Sequence, residues 1–143
     1  MMHDSIWVGP HFQAKEFKCD CCCENEVHPK IVHVLENIRE DIGAPLRISS
    51  GVRCPSHNKN VGGATKSFHQ PQEDGRGYAA DFTYALSSMK IPINIVRLFV
   101  SASEHVGDGG AILYPSWVHI DCRDELSNNQ RYRSTSKFPW PRL

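Results

Sequence analysis

Two histidines and one aspartate occupy widely separated positions whose surroundings suit metal ligands. His69 ends the run SFH, Asp81 follows the run GYAA, and His119 is the central residue of WVHID. Two imidazoles and one carboxylate leave the fourth position of a tetrahedral Zn²⁺ ion open, as in catalytic zinc sites and unlike structural ones. If the three side chains converge in the fold, they form a metal site suited to hydrolysis.

Each of the three residues also has a simpler explanation. A single strand histidine such as His119 is commonly half-buried with one hydrogen bond. Asp81 lies in an apolar segment, where an unpaired charge is very costly, so it must be paired or bound to a metal. Arg53 and Arg76 are its alternative partners. His69 is one of eight histidines. Its interpretation as a metal ligand is supported only by the presence of the other two residues.

Asp121 follows the last of these histidines closely. Side chains alternate along a strand, so Trp117, His119 and Asp121 are expected on one face of it. Val118 and Ile120 then point into the opposite layer. From its position Asp121 has two roles open to it: it can orient a histidine, or it can act on a metal-bound water.

The elements that must position these residues can be predicted from periodicity. A helix is expected over residues 30–42, ended by Gly43, because its apolar residues recur at helical spacing. A second helix is expected within 91–105, and a helical turn near 57–60 in the loop 51–66. Short strands are expected at 46–49, 79–83, 111–114 and 117–121. This mixture predicts an α+β fold: a small, mostly antiparallel sheet with helices packed on one side.

Length and composition indicate one soluble domain. We expect a single domain over residues 1–143, with an N-terminal arm at 1–10 and a C-terminal tail at 124–143. Sixteen basic and sixteen acidic residues cancel, so no global field attracts nucleic acid or an anionic membrane. No membrane-spanning run and no secretory signal are visible, which predicts synthesis in a cytoplasm. We expect a monomer.

The six cysteines are unevenly distributed, with four of them between Cys19 and Cys23. Four cysteines within five residues cannot all bridge one another, because a disulfide requires a defined separation and direction of its side chains. Without a secretory signal, thiols or thiolate–metal bonds are favoured over a disulfide framework. A second zinc at Cys19–Cys23 is one alternative, and a thiol-rich turn with a bridge to Cys54 or Cys122 is another.

Several motifs together carry a resemblance to a known family. SGVR, HN, VGGA, SFH, GYAAD and WVHID occur, in this order, between residues 50 and 121. The order resembles that of the zinc D-Ala-D-Ala carboxypeptidases, and most closely their compact phage and bacterial branch, which has the hedgehog/DD-peptidase fold. The segment FQAKEFKC at residues 12–19 is also similar to the N-terminal part of that branch. The resemblance covers about residues 11–123.

The resemblance implies roles for four residues of these motifs. It implies that His69, Asp81 and His119 bind one catalytic Zn²⁺ ion. It also implies that Arg53 holds the carboxylate or backbone of the substrate, for which the fork of guanidinium donors is suited. The alternative for Arg53 is an ion pair with Asp81 or Glu73 that only braces the loop.

Two features near the first histidine stay open. Ser67 could hydrogen-bond the substrate or a ligand backbone, or it could cap a turn. The family usually separates its first histidine and its aspartate by a shorter step, whereas His69 and Asp81 are twelve positions apart. The polar run QPQEDG at residues 70–75 accounts for the difference and predicts a loop insertion beside the site, which loops tolerate at little entropic cost.

The proton-transfer group is the second departure from the family. Some branches have a glutamate three residues before the last ligand, where this chain has Ser116. Hydrolysis requires a group that accepts a proton from the attacking water and later delivers it to the leaving amine. Asp121 is the first candidate because alternation puts it on the metal side. Asp108 and Glu104 are the next candidates, followed by His57.

The resemblance implies a zinc peptidase that cuts peptide bonds of bacterial peptidoglycan. Its targets would be the D-Ala-D-Ala end of the stem, an L-Ala-D-Glu bond or a cross-bridge bond. Such a protein would act as an endolysin or a virion-associated lysin on the cell wall after release. The main alternative is a non-catalytic zinc-binding module of the same fold in a phage structure. A third alternative is a thiol–metal or redox protein centred on Cys19–Cys23.

Overall fold

The first long helix, α1, spans Pro29–Ile42 in the computed structural model of the protein, which describes residues 6–19, 25–85 and 94–126. Pro29 occupies the first turn, where its missing N–H is not needed. The backbone N–H of Lys30 donates to the His28 ring, which caps the helix. Gly43 ends the helix in the left-handed conformation, with φ of 71°. The prediction of a helix ending at Gly43 is confirmed.

The sheet has four strands in the order β1-β2-β4-β3, and every neighbouring pair is antiparallel. The strands are β1 Leu46–Ser50, β2 Ala79–Tyr84, β3 Gly110–Leu113 and β4 Val118–Asp121. A short helix, α2 (Pro55–Asn60), follows β1, and a longer helix, α3 (Ile95–His105), precedes β3. The predicted α+β class and antiparallel sheet are therefore confirmed.

The hydrophobic core lies on one face of the sheet. Ala80 and Phe82 of β2 and Val118 and Ile120 of β4 are fully buried there. The apolar stripe of α1 belongs to the same core, and α3 contacts β3, β4 and α1. By strand alternation the opposite face carries the intervening side chains. The two long helices thus cover only one side of the sheet.

The strand register determines which residues meet on the opposite face. Asp81 of β2 lies directly across from His119 of β4. On its other side Asp81 lies across from Ser50 of β1, beside a bulge between Ile48 and Ser50. We call this side of the sheet, defined by Asp81 and His119, the ligand face.

Element boundaries differ from the predictions at several ends. The turn predicted near residues 57–60 is the end of α2, which begins at Pro55 and is capped by the Cys54 sulfur. Helix α3 begins after Asn94, whose side chain caps it by accepting from the Arg97 N–H. The predicted segment 91–93, most of the cysteine cluster (residues 20–23) and the tail from 127 onward lie outside the described residues.

No helix in the described part of the chain is long and apolar enough to cross a membrane. The prediction of a single domain over residues 1–143 stays a prediction.

Candidate metal centre

The two histidines and the aspartate converge on the ligand face. Nδ1 of His119 lies 2.9 Å from Oδ1 of Asp81, and Nε2 of His69 lies 3.1 Å from the same oxygen. All three residues are buried, with 3 to 8% of their surface exposed. Three potential ligand atoms thus surround one point, although they come from a loop and two different strands.

The loop that carries His69 is fixed by backbone hydrogen bonds on both sides. The Arg53 N–H donates to the carbonyl oxygen of His69 at 2.9 Å, and the Tyr78 N–H donates to that of Phe68 at 2.8 Å. The Ser67 hydroxyl oxygen accepts from the His69 N–H at 3.1 Å. Of the roles weighed for Ser67, the geometry therefore shows the hydrogen bond to the backbone of a candidate metal ligand, which also caps the turn before His69.

The second nitrogen of each imidazole defines which nitrogen can bind a metal. Nδ1 of His69 lies 2.7 Å from the carbonyl oxygen of Gly51, which can only accept, so Nδ1 carries the proton. Nε2 of His119 lies 2.9 Å from Oδ2 of Asp121 and donates to that carboxylate. In both rings the nitrogen that faces Asp81 is the one left to bind a cation.

Burial and neighbouring charges shift the pKa values of these groups in different directions. Burial lowers the pKa of His69 and outweighs the opposing attraction of Asp81, so this ring is neutral. Burial also opposes the charged form of His119, but the hydrogen bonds to Asp121 and Asp81 outweigh it and raise the pKa to about 9. Burial would raise the pKa of Asp81, yet the two histidines hold it well below its usual range.

With these protonation states, and with no cation bound, the contact between His69 and Asp81 is unfavourable. A protonated His119 can donate to Asp121 and Asp81 together, which satisfies both of its nitrogens. The neutral His69 ring, however, then presents a lone pair to Oδ1 of Asp81 at 3.1 Å, so two acceptors face each other. A bound cation removes this conflict.

The donor set and its spacing fit zinc. Ligands that lie 2.0–2.1 Å from a tetrahedral Zn²⁺ ion are about 3.3 Å from one another. The two separations from Oδ1 of Asp81, 2.9 and 3.1 Å, need to expand only slightly to reach this value. Two imidazoles and one carboxylate also match the preference of zinc for nitrogen and oxygen ligands. The residues would therefore hold a zinc ion with one position open.

Asp121 lies behind His119 rather than beside the ligand atoms. It contacts the Nε2 edge of that ring, while Asp81 contacts the Nδ1 edge. Its side chain is completely buried and also accepts from Nε and Nη2 of Arg123, at 2.7 and 2.6 Å, and from the Gly110 N–H. Despite burial, Arg123 and His119 hold the pKa of Asp121 well below its usual range. Of its two predicted roles, this geometry favours orientation of His119.

Arg123 is a residue that the sequence did not reveal as part of the site. It is buried, its guanidinium carbon lies 4.7 Å from the centre of the Phe68 ring, and its side chain neutralises Asp121. The only signal in the sequence is an arginine two positions after an aspartate expected to be buried. That signal is weak, because the arginine reaches the aspartate only through the 3-10 helix that begins at Arg123, and the spacing alone does not predict this turn.

Arg53 lies at the edge of the cluster. Its Nη2 is 3.2 Å from Oδ2 of Asp81, its Nε donates to the Ser50 hydroxyl at 2.9 Å, and its Nη1 donates to Asn58 at 3.3 Å. The ion pair with Asp81, one of the alternatives for this arginine, is therefore present. Three of the five guanidinium N–H groups are engaged, which leaves two for another acceptor. Asn58 was not predicted as a neighbour of this site.

The other candidates for proton transfer lie elsewhere among the described residues. Glu104 belongs to α3, on the opposite side of the sheet, where it approaches Asp41 and His105. Asp108 is exposed in the turn between α3 and β3. His57 borders a small cleft of about 60 Å³ that also contains Ser50 and Gly51. In the described chain none of the three candidates belongs to the ligand cluster.

The polar run at residues 70–75 is folded against its surroundings. The carboxylate of Asp74 accepts from the Arg76 N–H at 3.0 Å and from the Tyr78 hydroxyl at 2.8 Å. The Asn25 amide donates to the Gly75 carbonyl at 2.9 Å. These contacts hold the connection between His69 and β2 against its surroundings, and the candidate metal ligands still meet.

Comparison with protein families matches residues 10–121 to the family described as Peptidase M15. The matched region contains all three candidate ligands as well as Arg53 and Asp121. No curated protein and no solved structure matches the chain.

Proposed function

The chain belongs to the Peptidase M15 family of zinc-dependent metallopeptidases, and from this premise we propose that it hydrolyses peptide bonds of bacterial peptidoglycan. The observation that carries the proposal is the cluster of two imidazole nitrogens around Oδ1 of Asp81. Such a three-ligand site keeps a position open for chemistry. Within this function, we propose that the protein acts as a D-Ala-D-Ala carboxypeptidase or as an endopeptidase of the stem peptide.

In this proposal each residue of the site has a defined task. His69, Asp81 and His119 hold zinc, which when bound polarises a carbonyl group and lowers the pKa of water. Asp121 accepts a hydrogen bond from the Nε2–H group of His119, which fixes the ring with Nδ1 toward the cluster. Its alternative task is the transfer of the proton from water to the leaving amine.

Arg53 positions the substrate in this proposal. Its guanidinium is already held by Asp81, Ser50 and Asn58, so little side-chain entropy is lost when a substrate oxygen binds to its two remaining N–H groups. A carboxylate or a peptide carbonyl could accept from them. Ser67 supports the site through the backbone of His69, as its hydrogen bond indicates.

The setting of the activity is also part of the proposal. The substrate is the peptide portion of the bacterial cell wall, and the protein acts there as an endolysin or a virion-associated lysin after synthesis in a cytoplasm. It acts as a monomer and binds neither nucleic acid nor a membrane. The balanced charge of the chain supports the absence of these last two partners.

The experiment is hydrolysis of purified peptidoglycan by the zinc-loaded protein, with new amino groups counted and the released fragments weighed by mass spectrometry. Amine release should stop when a chelator is added and resume when zinc is restored. The fragment masses identify the bond. His119→Ala, which removes one ligand, is the control and should be inactive. An absence of new amines from zinc-loaded wild-type protein would contradict the proposal.

One observation favours a second candidate, a zinc-binding module without catalysis. Among the described residues, Asp81 and Asp121 are the only carboxylates hydrogen-bonded to the ligand histidines, and both are already engaged. Ser116 stands where a glutamate would supply a base. This candidate predicts one zinc per chain and retention on insoluble peptidoglycan without fragment release, so the same experiment distinguishes the two functions.

A further inference from the structure

A second row of side chains lies beside the metal ligands on the ligand face. Thr83 follows Asp81 by two residues on β2, and Trp117 precedes His119 by two, so alternation directs both to the same face as the ligands. Arg47 of β1 lies directly across from Thr83. The two long helices pack on the other face and do not cover this row, in which Thr83 is buried beneath its neighbours and Arg47 is exposed.

Arg47 points away from the core. Its neighbours on β1, Leu46 and Ile48, pack against the hydrophobic core, which directs the side chain between them to the ligand face. The residue is exposed, and no carboxylate or other acceptor in the described chain pairs with it. This distinguishes it from Arg53, which has three partners and only 14% exposure of its side chain.

An aromatic pair lies at the other end of the same row. The rings of Tyr114 and Trp117 are stacked, with centroids 4.6 Å apart and an angle of 8° between their planes. The Tyr114 N–H donates to the Trp117 carbonyl oxygen at 3.0 Å, which extends the β3–β4 ladder by one pair. Stacked aromatic rings lose little conformational entropy on binding and provide an apolar wall.

The spacing of the sheet gives the distance between Arg47 and the metal ligands. Strands are 4.7–4.9 Å apart and residues rise about 3.3 Å along each, so the Cα atom of Arg47 lies about 8 Å from that of Asp81. An extended peptide covers about 7 Å in two residues. A substrate whose cleaved bond lies at the candidate metal ligands would therefore reach Arg47 with the second residue from that bond.

We propose that Arg47 is a specificity-determining residue, which binds a free carboxylate of the substrate peptide about two residues from the bond that is cut. The stacked Tyr114 and Trp117 rings lie at the opposite end of the same row. A guanidinium suits this task because it binds a carboxylate through two parallel hydrogen bonds. The inference rests on the proposed peptidase function and narrows its substrates to acidic peptides.

The test compares stem peptides in which one carboxylate at a time is replaced by a carboxamide. Zinc-loaded full-length wild type, Arg47→Gln and Arg97→Gln are assayed on each peptide. Arg97 is exposed on α3, on the opposite side of the sheet, so its variant loses the same charge away from this row. Affinities of the same peptides for chelator-treated protein are measured by calorimetry, because that protein cannot cut them.

For one carboxylate, wild type should show a KM about two- to fivefold lower than for the matching carboxamide, as expected for an ion pair at an exposed arginine. Arg47→Gln should abolish this preference with kcat unchanged, and Arg97→Gln should retain it. Arg47→Lys should restore part of the preference. Equal behaviour of Arg47→Gln and Arg97→Gln on every peptide would overturn the inference.

Failure of the proposed function gives a different result. If wild type cuts none of the peptides, that function is wrong, and the calorimetric arm alone decides the inference. Loss of a carboxylate preference in Arg47→Gln, with its retention in Arg97→Gln, then supports a carboxylate site at Arg47. The same affinities in all three proteins would refute it.

Discussion

Replacement of Asp121 by asparagine separates the two roles open to this residue. The side chain is fully buried and accepts from His119, from the Gly110 N–H and from two guanidinium nitrogens of Arg123. Asp121→Asn preserves the shape but removes the charge and one acceptor oxygen. Arg123 is itself buried, so its guanidinium would lose its counter-charge in a poorly hydrated environment.

The magnitudes follow from these contacts. Loss of one partner of a buried ion pair costs about 3–5 kcal/mol, so the metal-free variant should unfold more easily by that amount. Loss of the group that orients a ligand histidine typically weakens metal affinity about 10–100-fold, or roughly 1.4–2.7 kcal/mol. Both effects should appear together if Asp121 orients His119.

The assays are urea unfolding of the metal-free protein, competitive zinc titration with a chromogenic chelator, and peptidase activity at saturating zinc. Asp108→Asn removes the same charge at an exposed turn and should change stability by less than about 0.5 kcal/mol. Unchanged zinc affinity and stability with lost activity would refute the orienting role and make Asp121 the proton carrier. Unchanged activity, affinity and stability would exclude both roles.

Three further predictions concern the same site. Because the pKa of His119 is raised to about 9 while burial keeps His69 neutral, zinc must displace one proton below pH 9. The zinc Kd should therefore rise about tenfold for each pH unit between 8 and 6.5, and a pH-independent titration would contradict this protonation scheme. Zinc at a thousand times its Kd should stabilise wild type by about 4 kcal/mol in thermal unfolding but leave His119→Ala unchanged, and equal stabilisation of both would exclude the site. A Cβ atom at Gly63 would clash with Oδ1 of Asn58 and lie 2.9 Å from Nη1 of Arg53. Gly63→Ala should therefore lower the free energy of unfolding by about 1–3 kcal/mol and raise KM. A stability and a KM equal to those of wild type would show that the loop relaxes freely.

Residues within one element could be predicted well from the sequence. The helical spacing of apolar residues predicted α1 to within one residue at its start, and alternation placed His119 and Asp121 on one strand face. The convergence of His69 with this strand was expected only because several motifs resembled a known family. Periodicity by itself cannot indicate that a loop residue meets a strand fifty positions later.

The roles of individual atoms could not be predicted, because they depend on register and on local turns. Alternation puts Asp121 on the metal side, but only the pairing of Asp81 with His119 shows that the two carboxylates contact opposite edges of one imidazole. Likewise, Arg123 reaches Asp121 through the turn that follows β4. These contacts lie between elements, where sequence spacing carries little information.

The charges around the candidate metal centre have a consequence for substrate selection. Asp81 is paired with Arg53 and Asp121 with Arg123, so both carboxylates are neutralised before a metal binds. When zinc displaces the proton of His119, the site therefore gains one net positive charge. Such a site attracts anionic groups in general, and attraction of this kind discriminates poorly between one acidic peptide and another. In the proposed function, discrimination would then come from groups at a fixed distance from the ligands, and this is the task we propose for Arg47, which is exposed on the ligand face.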